Sequence, residues 1–203
     1  MKQQIIQQGA EAIIYKIKDK VVKDRIPKKY RLPKLDDKIR RQRTKKEAKL
    51  LTKSSKLIPA PAPLTDPDAG RMIHMPYITG KKLSEHLDKL KNSQKICEQI
   101  GKNIALLHDN DIIHGDLTTS NMILKQDKVF FIDFGLGFTS DKTEDKAVDL
   151  HLIKQALEAK HFLHFEKFFK AILKGYKTSK NYKSTIKRLE KVEARGRYKK
   201  QVC

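Results

Sequence analysis

Ile112-Ile113-His114-Gly115-Asp116-Leu117-Thr118-Thr119-Ser120-Asn121 is followed, after an apolar run, by Phe131-Ile132-Asp133-Phe134-Gly135. In order, these stretches hold three groups that phosphoryl transfer needs. Asp116 is the candidate catalytic residue, able to take a proton or orient an attacking oxygen. Asn121 and Asp133 are candidate magnesium ligands, because amide and carboxylate oxygens suit a small hard cation. Asn121 follows Asp116 by five residues and Asp133 follows Asn121 by 12. The first spacing is that of a phosphoryl-transfer catalytic loop, and the second leaves room for an apolar strand. One acidic tripeptide carries little weight, but two linked motifs at this spacing predict ATP chemistry.

Such chemistry also needs a phosphate-binding lysine, a partner for it and a loop that can approach phosphate. Val21-Val22-Lys23 closes an apolar run that reads as a strand over 20–24, where protein kinases keep the lysine that grips the α and β phosphates. Glu47 follows 24 residues later, within Arg43-Thr44-Lys45-Lys46-Glu47-Ala48-Lys49-Leu50-Leu51. That segment combines strong helix formers with helical apolar spacing. A Lys23–Glu47 pair is therefore expected. Taken alone, both residues read as ordinary surface charges, and only the downstream motifs change that reading. Gly9 lies in the hairpin Ile5-Ile6-Gln7-Gln8-Gly9-Ala10-Glu11-Ala12-Ile13-Ile14-Tyr15, with one glycine where protein kinases have three. It permits backbone N–H groups to approach phosphate, and it equally suits a plain turn. Glu11 would repel phosphate unless a cation such as Lys23 pairs with it.

The net charge of +21 over 203 residues is concentrated in two places. Residues 28–49 carry 11 Lys/Arg against 3 acids, and residues 180–200 carry 9 against 2. Neutralising phosphates with such patches releases counterions and gives strong, salt-dependent binding, so nucleic acid is the expected partner over a merely solvated lysine-rich surface. The clusters hold no tryptophan and few aromatics, which disfavours base stacking. No apolar run approaches the roughly 18 residues that span a bilayer. The N-terminus lacks the apolar core of a signal peptide. Cys97 falls on an apolar helical face with Ile96, Ile100, Ile104 and Leu107 and is expected to be buried and reduced, so a cytoplasmic location is expected.

Three units are expected: an N-lobe over 1–76, a C-lobe over 77–193 and a basic tail over 194–203. The N-lobe reads as three short strands, a basic loop, a helix over 36–53 and two more strands. Pro59-Ala60-Pro61-Ala62-Pro63 is an extended connector, and Pro76-Tyr77-Ile78-Thr79-Gly80 is the natural hinge. The C-lobe reads as mostly helical, with an amphipathic helix over 94–110 and strands over 122–125 and 129–133. A helix over 144–158 carries Asp149, which either braces the catalytic loop or is a surface carboxylate. The aromatic segment 161–176, with Phe162, Phe165, Phe168 and Phe169, reads as core. No long activation loop fits between Gly135 and residue 144, and glycine replaces the arginine of regulated protein kinases in His114-Gly115-Asp116. Switching by loop phosphorylation is not expected.

The chain resembles the small atypical kinase subunit of the KEOPS (EKC) complex, the PRPK/piD-type family, over essentially its whole length. The matching residues are Gly9-Ala10-Glu11-Ala12, Val22-Lys23-Asp24-Arg25, Lys29-Tyr30-Arg31, Arg43-Thr44 with Glu47-Ala48, the 114–121 loop, and Asp133-Phe134-Gly135-Leu136-Gly137. Glu144-Asp145-Lys146-Ala147-Val148-Asp149-Leu150 and the tail Arg195-Gly196-Arg197 match as well. RIO kinases and aminoglycoside-type phosphotransferases share the His-x-Asp, Asn and Asp logic, but not the Thr118-Thr119-Ser120-Asn121 loop with this tail. The resemblance implies an α+β, minimal two-lobed protein-kinase-like fold that binds ATP and Mg2+. It implies an atypical Ser/Thr kinase that autophosphorylates and acts chiefly as an ATPase supporting threonylcarbamoyladenosine synthesis on tRNA. Its implied partners are a Kae/TsaD-family tRNA threonylcarbamoyltransferase, other KEOPS subunits and tRNA. Arg195, Arg197, Lys199 and Lys200 would contact tRNA or the partner. A non-catalytic scaffold and a free-standing Ser/Thr kinase are the alternatives.

Overall fold

The computed structural model describes residues 4–64 and 70–199, apart from the side chains of 196–199. β1 (Gln4–Gln8), β2 (Ala12–Ile17), β3 (Lys20–Arg25) and β4 (Met72–Pro76) form an antiparallel sheet in that order. Helix α1 (Pro33–Ser54) lies between β3 and β4 in sequence. It begins three residues before the expected start because Pro33 occupies its first turn, where a missing N–H costs nothing and φ is already helical. Its Ala48, Leu50 and Leu51 are buried in one core with Ile58, Ile73 and Met75. Among the described residues up to 76, one strand follows the helix where two were expected. Prolines at 59, 61 and 63 remove N–H groups that a ladder needs, and just beyond them Leu64 donates to the His74 carbonyl at 2.7 Å.

The remaining chain is mainly helical. β5 (Lys81–Lys82) leads into the short helix α2 (Leu83–His86), a 3-10 turn (Leu87–Lys89) and α3 (Ser93–Asp109). β6 (Ile112–Ile113) precedes the catalytic-loop motif, which ends in a 3-10 turn (Thr119–Asn121). β7 (Met122–Lys125) and β8 (Lys128–Phe131) form a tight hairpin. Gln126 and Asp127 turn it with φ of 47° and 58°, as a two-residue hairpin of matching twist requires. β9 (Phe138–Thr139) pairs back onto β6, so the segment after Asp133-Phe134-Gly135 is a short strap tied to the catalytic loop's own strand. Helices α4 (Thr143–Lys160), α5 (Phe165–Tyr176) and α6 (Tyr182–Lys199) follow, to the end of the described residues.

The apolar face of α3 reads as expected, with Ile96, Cys97, Ile100, Ile104 and Leu107 all buried. Burial, and secondarily the charge of Asp88, pushes the Cys97 thiol up to about 12. Glycines set the contact between α3 and α5. A Cβ on Gly101 would lie 1.9 Å from the Ile172 carbonyl oxygen, and one on Gly175 would lie 2.0 Å from that of Glu98. Each helix thus receives the other's backbone in the gap its own glycine leaves. Phe168 and Phe169 are buried there, whereas Phe162 is 69 % exposed. Phe162 precedes the start of α5, so helical spacing does not carry it to the core; that expectation is corrected. Among the described residues no helix is long and apolar enough to cross a membrane.

Candidate active site

A cleft of about 550 Å³ opens between the sheet and the catalytic loop, and Gly9, Lys23, Glu47, Asp116, Asn121 and Asp133 all line it. Three elements from distant parts of the sequence converge here. Antiparallel pairing sets Lys23 opposite Ile14 on one side and Ile73 on the other, at the centre of the sheet. Helix α1 brings Glu47, and the loop after β8 brings Asp133.

Lys23 Nζ lies 2.7 Å from Glu47 Oε1 and 2.7 Å from Asp133 Oδ1. Burial pulls the Lys23 ammonium down, but the charges of Glu47 and Asp133 outweigh it and hold the group above its ordinary 10.5. Burial likewise pushes Asp133 up, and Lys23 reverses that and holds the carboxyl below its usual range. The Asp133 contribution is thus lost only as pH falls through its lowered value, and that of Lys23 only as pH rises beyond 10.5. The ion pair keeps its charges throughout the neutral range. Asp133 has a φ of 62°, a left-handed conformation that aspartate tolerates better than most residues, and the Gly135 N–H donates to its Oδ1 at 3.1 Å.

Asn121 Nδ2 donates to the Asp116 carboxylate at 2.8 Å and to its carbonyl at 3.0 Å. The amide therefore holds Asp116 in place and leaves Asn121 Oδ1 for a cation. Among the described residues no group of three His, Cys, Asp or Glu side chains could hold a metal. Two oxygen donors facing a common cleft fit Mg2+, which completes its shell with substrate phosphates and water.

Asp149 does not line the cleft; it sits behind the loop. Its carboxylate accepts the N–H groups of His114 and Gly115, each at 2.9 Å, and contacts His108 Nε2 at 3.2 Å. His108 Nδ1 lies 2.9 Å from the Tyr176 hydroxyl, which extends the brace to α5. Asp116 N–H donates to His114 Nδ1 at 3.3 Å, and His114 Nε2 faces the Ile132 carbonyl at 3.2 Å. Those roles define a neutral ring protonated at Nε2, and burial lowers the His114 pKa accordingly. Gly115 has a φ of +77°, and a Cβ there would lie 2.5 Å from the Leu136 carbonyl oxygen. Both facts explain why this loop carries glycine rather than arginine.

Glu11 does not pair with Lys23. Arg43 Nη1 takes it at 2.8 Å and Lys28 Nζ lies 3.7 Å away, because the hairpin tip faces α1 rather than the sheet centre. Arg25 was not singled out as a site residue. It lines the cleft at 5 % exposure, with Nη2 2.6 Å from Glu47 Oε2. Its signal lay in strand alternation, since residues two apart share a face. In the basic tail, Arg195 Nη1 pairs with Glu144 Oε1 at 2.9 Å, and Arg188 pairs with the other oxygen. The side chains of Arg197 and Lys199, and all of Lys200, lie outside the described residues.

Comparison with known proteins places the chain in a family. The RIO domain family matches residues 12–150. The chain is similar to the KEOPS complex subunit Bud32 of Pyrococcus abyssi, 39 % identical over 97 % of both chains. It is 38 % identical to the EKC/KEOPS complex subunit bud32 of Dictyostelium discoideum, over 96 % of this chain and 83 % of that one. It is also 44 % identical to a probable bifunctional tRNA threonylcarbamoyladenosine biosynthesis protein of Methanobrevibacter smithii, over 96 % of this chain but only 36 % of that protein. Among solved structures it resembles a Rio2 kinase–ADP/Mg2+–phosphoaspartate complex from Chaetomium thermophilum, with a TM-score of 0.63, 16 % identity, and coverage of 97 % of this chain and 70 % of that one. A streptomycin–ATP complex of APH(2")-IIa gives a TM-score of 0.62 at 16 % identity, covering 94 % and 81 %. At that identity the structural likeness bears on the fold alone.

Proposed function

Since the chain belongs to the RIO-domain family, and within it to the Bud32-type subunits of the KEOPS complex, we propose that it is an atypical kinase acting chiefly as an Mg2+-dependent ATPase in the threonylcarbamoyladenosine modification of tRNA. The observation that carries the reading is the convergence of Lys23, Glu47, Asp116, Asn121 and Asp133 on one cleft. Lys23 holds the ATP phosphates and Glu47 aims it. Asp133 and Asn121 would hold Mg2+, which would supply positive charge against that developing on the β–γ bridge as ADP leaves. Asp116, fixed by Asn121, orients water or a Ser/Thr hydroxyl. Asp149 keeps the loop backbone in register without touching substrate. Positioning and electrostatics then supply most of the acceleration, as is usual for phosphoryl transfer.

ADP production by the purified chain tests this, with a Kae/TsaD-family partner and tRNA added in turn. Turnover that is low alone and rises strongly with both is the expected result. Turnover indifferent to both would leave a free-standing kinase, and unimpaired tRNA modification by an ATPase-dead variant would leave a scaffold.

The partners are tRNA, a Kae/TsaD-family transferase and the other KEOPS subunits, in the cytoplasm. Three acids in the 28–49 cluster are already committed within the fold: Asp36 to Arg40, Asp37 to Arg41, and Glu47 to Lys23 and Arg25. The surplus positive charge of that helix faces outward and supports a polyanionic partner. Binding of tRNA should weaken steeply with salt, with a log–log slope of about −0.7 to −0.9 per phosphate neutralised. Charge reversal at Arg197, Lys199 and Lys200 should shallow that slope. Reversing Arg195 as well removes a partner of Glu144, so the triple variant is the cleaner probe. Affinity independent of salt would point to protein contacts alone.

A further inference from the structure

Arg25 has no task in the scheme above, yet it is nearly as buried as any cation in the described chain. Lys23 and Arg25 leave β3 on the same face and divide Glu47 between them: Lys23 takes Oε1 at 2.7 Å and Arg25 takes Oε2 at 2.6 Å. Glu47 itself is 1 % exposed. The Arg25 main chain is also tied to α1, since its carbonyl accepts Arg40 Nη1 at 3.4 Å. Its buried Nε has no hydrogen-bond partner among the described residues, so the guanidinium's one charged contact there is Glu47.

The two cations differ in what happens when nucleotide arrives. Lys23 now shares its ammonium between Glu47 and Asp133. Phosphates claim Lys23, and Asp133 is needed elsewhere, so Lys23 must change partners in every cycle. A buried carboxylate held by that lysine alone would follow it or lose its compensation, and an uncompensated buried charge is costly. Regulated protein kinases secure the corresponding helix through an activation segment, for which the short strap to β9 leaves no room.

We infer that Arg25 is a positioning residue for ATP turnover: it pins Glu47, and with it α1, against β3 independently of Lys23, so that Lys23 exchanges partners while the helix stays closed. The inference rests on the ATPase reading and deepens it. It predicts that the closed arrangement is built in rather than switched.

The test uses the full chain with Arg25→Met and Arg25→Lys, reading steady-state ADP production and amide hydrogen exchange along residues 44–51. Arg25→Met should lower kcat about tenfold while the KM for ATP moves less than about threefold, since an interaction acting in the transition state is lost rather than ground-state binding. Arg25→Lys should recover most of that loss. Exchange at 44–51 should quicken in Arg25→Met before any nucleotide is added. An unchanged kcat would overturn the inference, as would an effect on the KM for ATP alone, which would mean direct contact with phosphate. If the wild-type chain turns over no ATP, the ATPase reading fails separately. Exchange then decides: quickened α1 amides support the pin, and unchanged amides overturn it. Where Arg25→Met fails to fold, Arg25→Lys decides: wild-type kcat and exchange support the pin, and a kcat as low as that of Lys23→Met overturns it.

Discussion

Asp133→Asn should lower ATP turnover about 10³-fold while the protein stays folded, because it removes the carboxylate charge from the only acidic Mg2+ donor in the scheme. Asparagine is the informative replacement. Position 133 has a φ of 62°, which asparagine tolerates and alanine does not as readily, so Asp133→Ala mixes lost chemistry with backbone strain. The fold should survive either change. Lys23 keeps Glu47 at 2.7 Å, and Asp133 is 45 % exposed at its side chain, so losing its share of the ion pair costs little stability. The measurement is ADP release across a magnesium titration, with a thermal melt as control. Near-normal turnover at ordinary magnesium would remove Asp133 from the mechanism.

Gly101→Ala should be the most destabilising single-methyl change in the described chain. The added carbon would sit 1.9 Å from a backbone oxygen of α5, which no side-chain rotation can relieve. The helices must separate, and overpacking of this kind costs about 3 kcal/mol. For a chain of this size that lowers Tm by roughly 6–12 °C. Gly175→Ala should behave alike, since it forces the same interface from the other side. Gly9→Ala is the control for stability, because the nearest atom would be 3.8 Å away. Equal melting of Gly101→Ala and Gly9→Ala would mean that α3 and α5 do not meet through their backbones.

What was legible in the chain depended on how local its cause was. The spacing of Asp116, Asn121 and Asp133 is set by one loop and one hairpin, and the cleft holds all three. The face of α3 followed from helical period alone. Long-range pairings were harder. Lys23 and Glu47 meet, but Glu11 goes to Arg43, because its partner depends on how the hairpin tip lies across α1. Strand alternation puts Arg25 on the same face as Lys23, but its place on the second oxygen of Glu47 is visible only once Glu47 is in position. Phe162 carried the right composition for a core but precedes the helix that would have buried it.

The carboxylate of Glu144 bears on which anions this surface can distinguish. It holds Arg188 and Arg195 together at the first turn of α4, so part of the basic helix α6 is already satisfied by the protein itself. A lone phosphate that displaced Glu144 would exchange one ion pair for another and gain almost nothing. A ligand with many phosphates in series engages neighbouring cations at the same time, and its later contacts form at high effective concentration. A surface arranged this way would favour anions by valency: a long polyanion would gain more by taking Glu144's place than a free nucleotide or inorganic ion would.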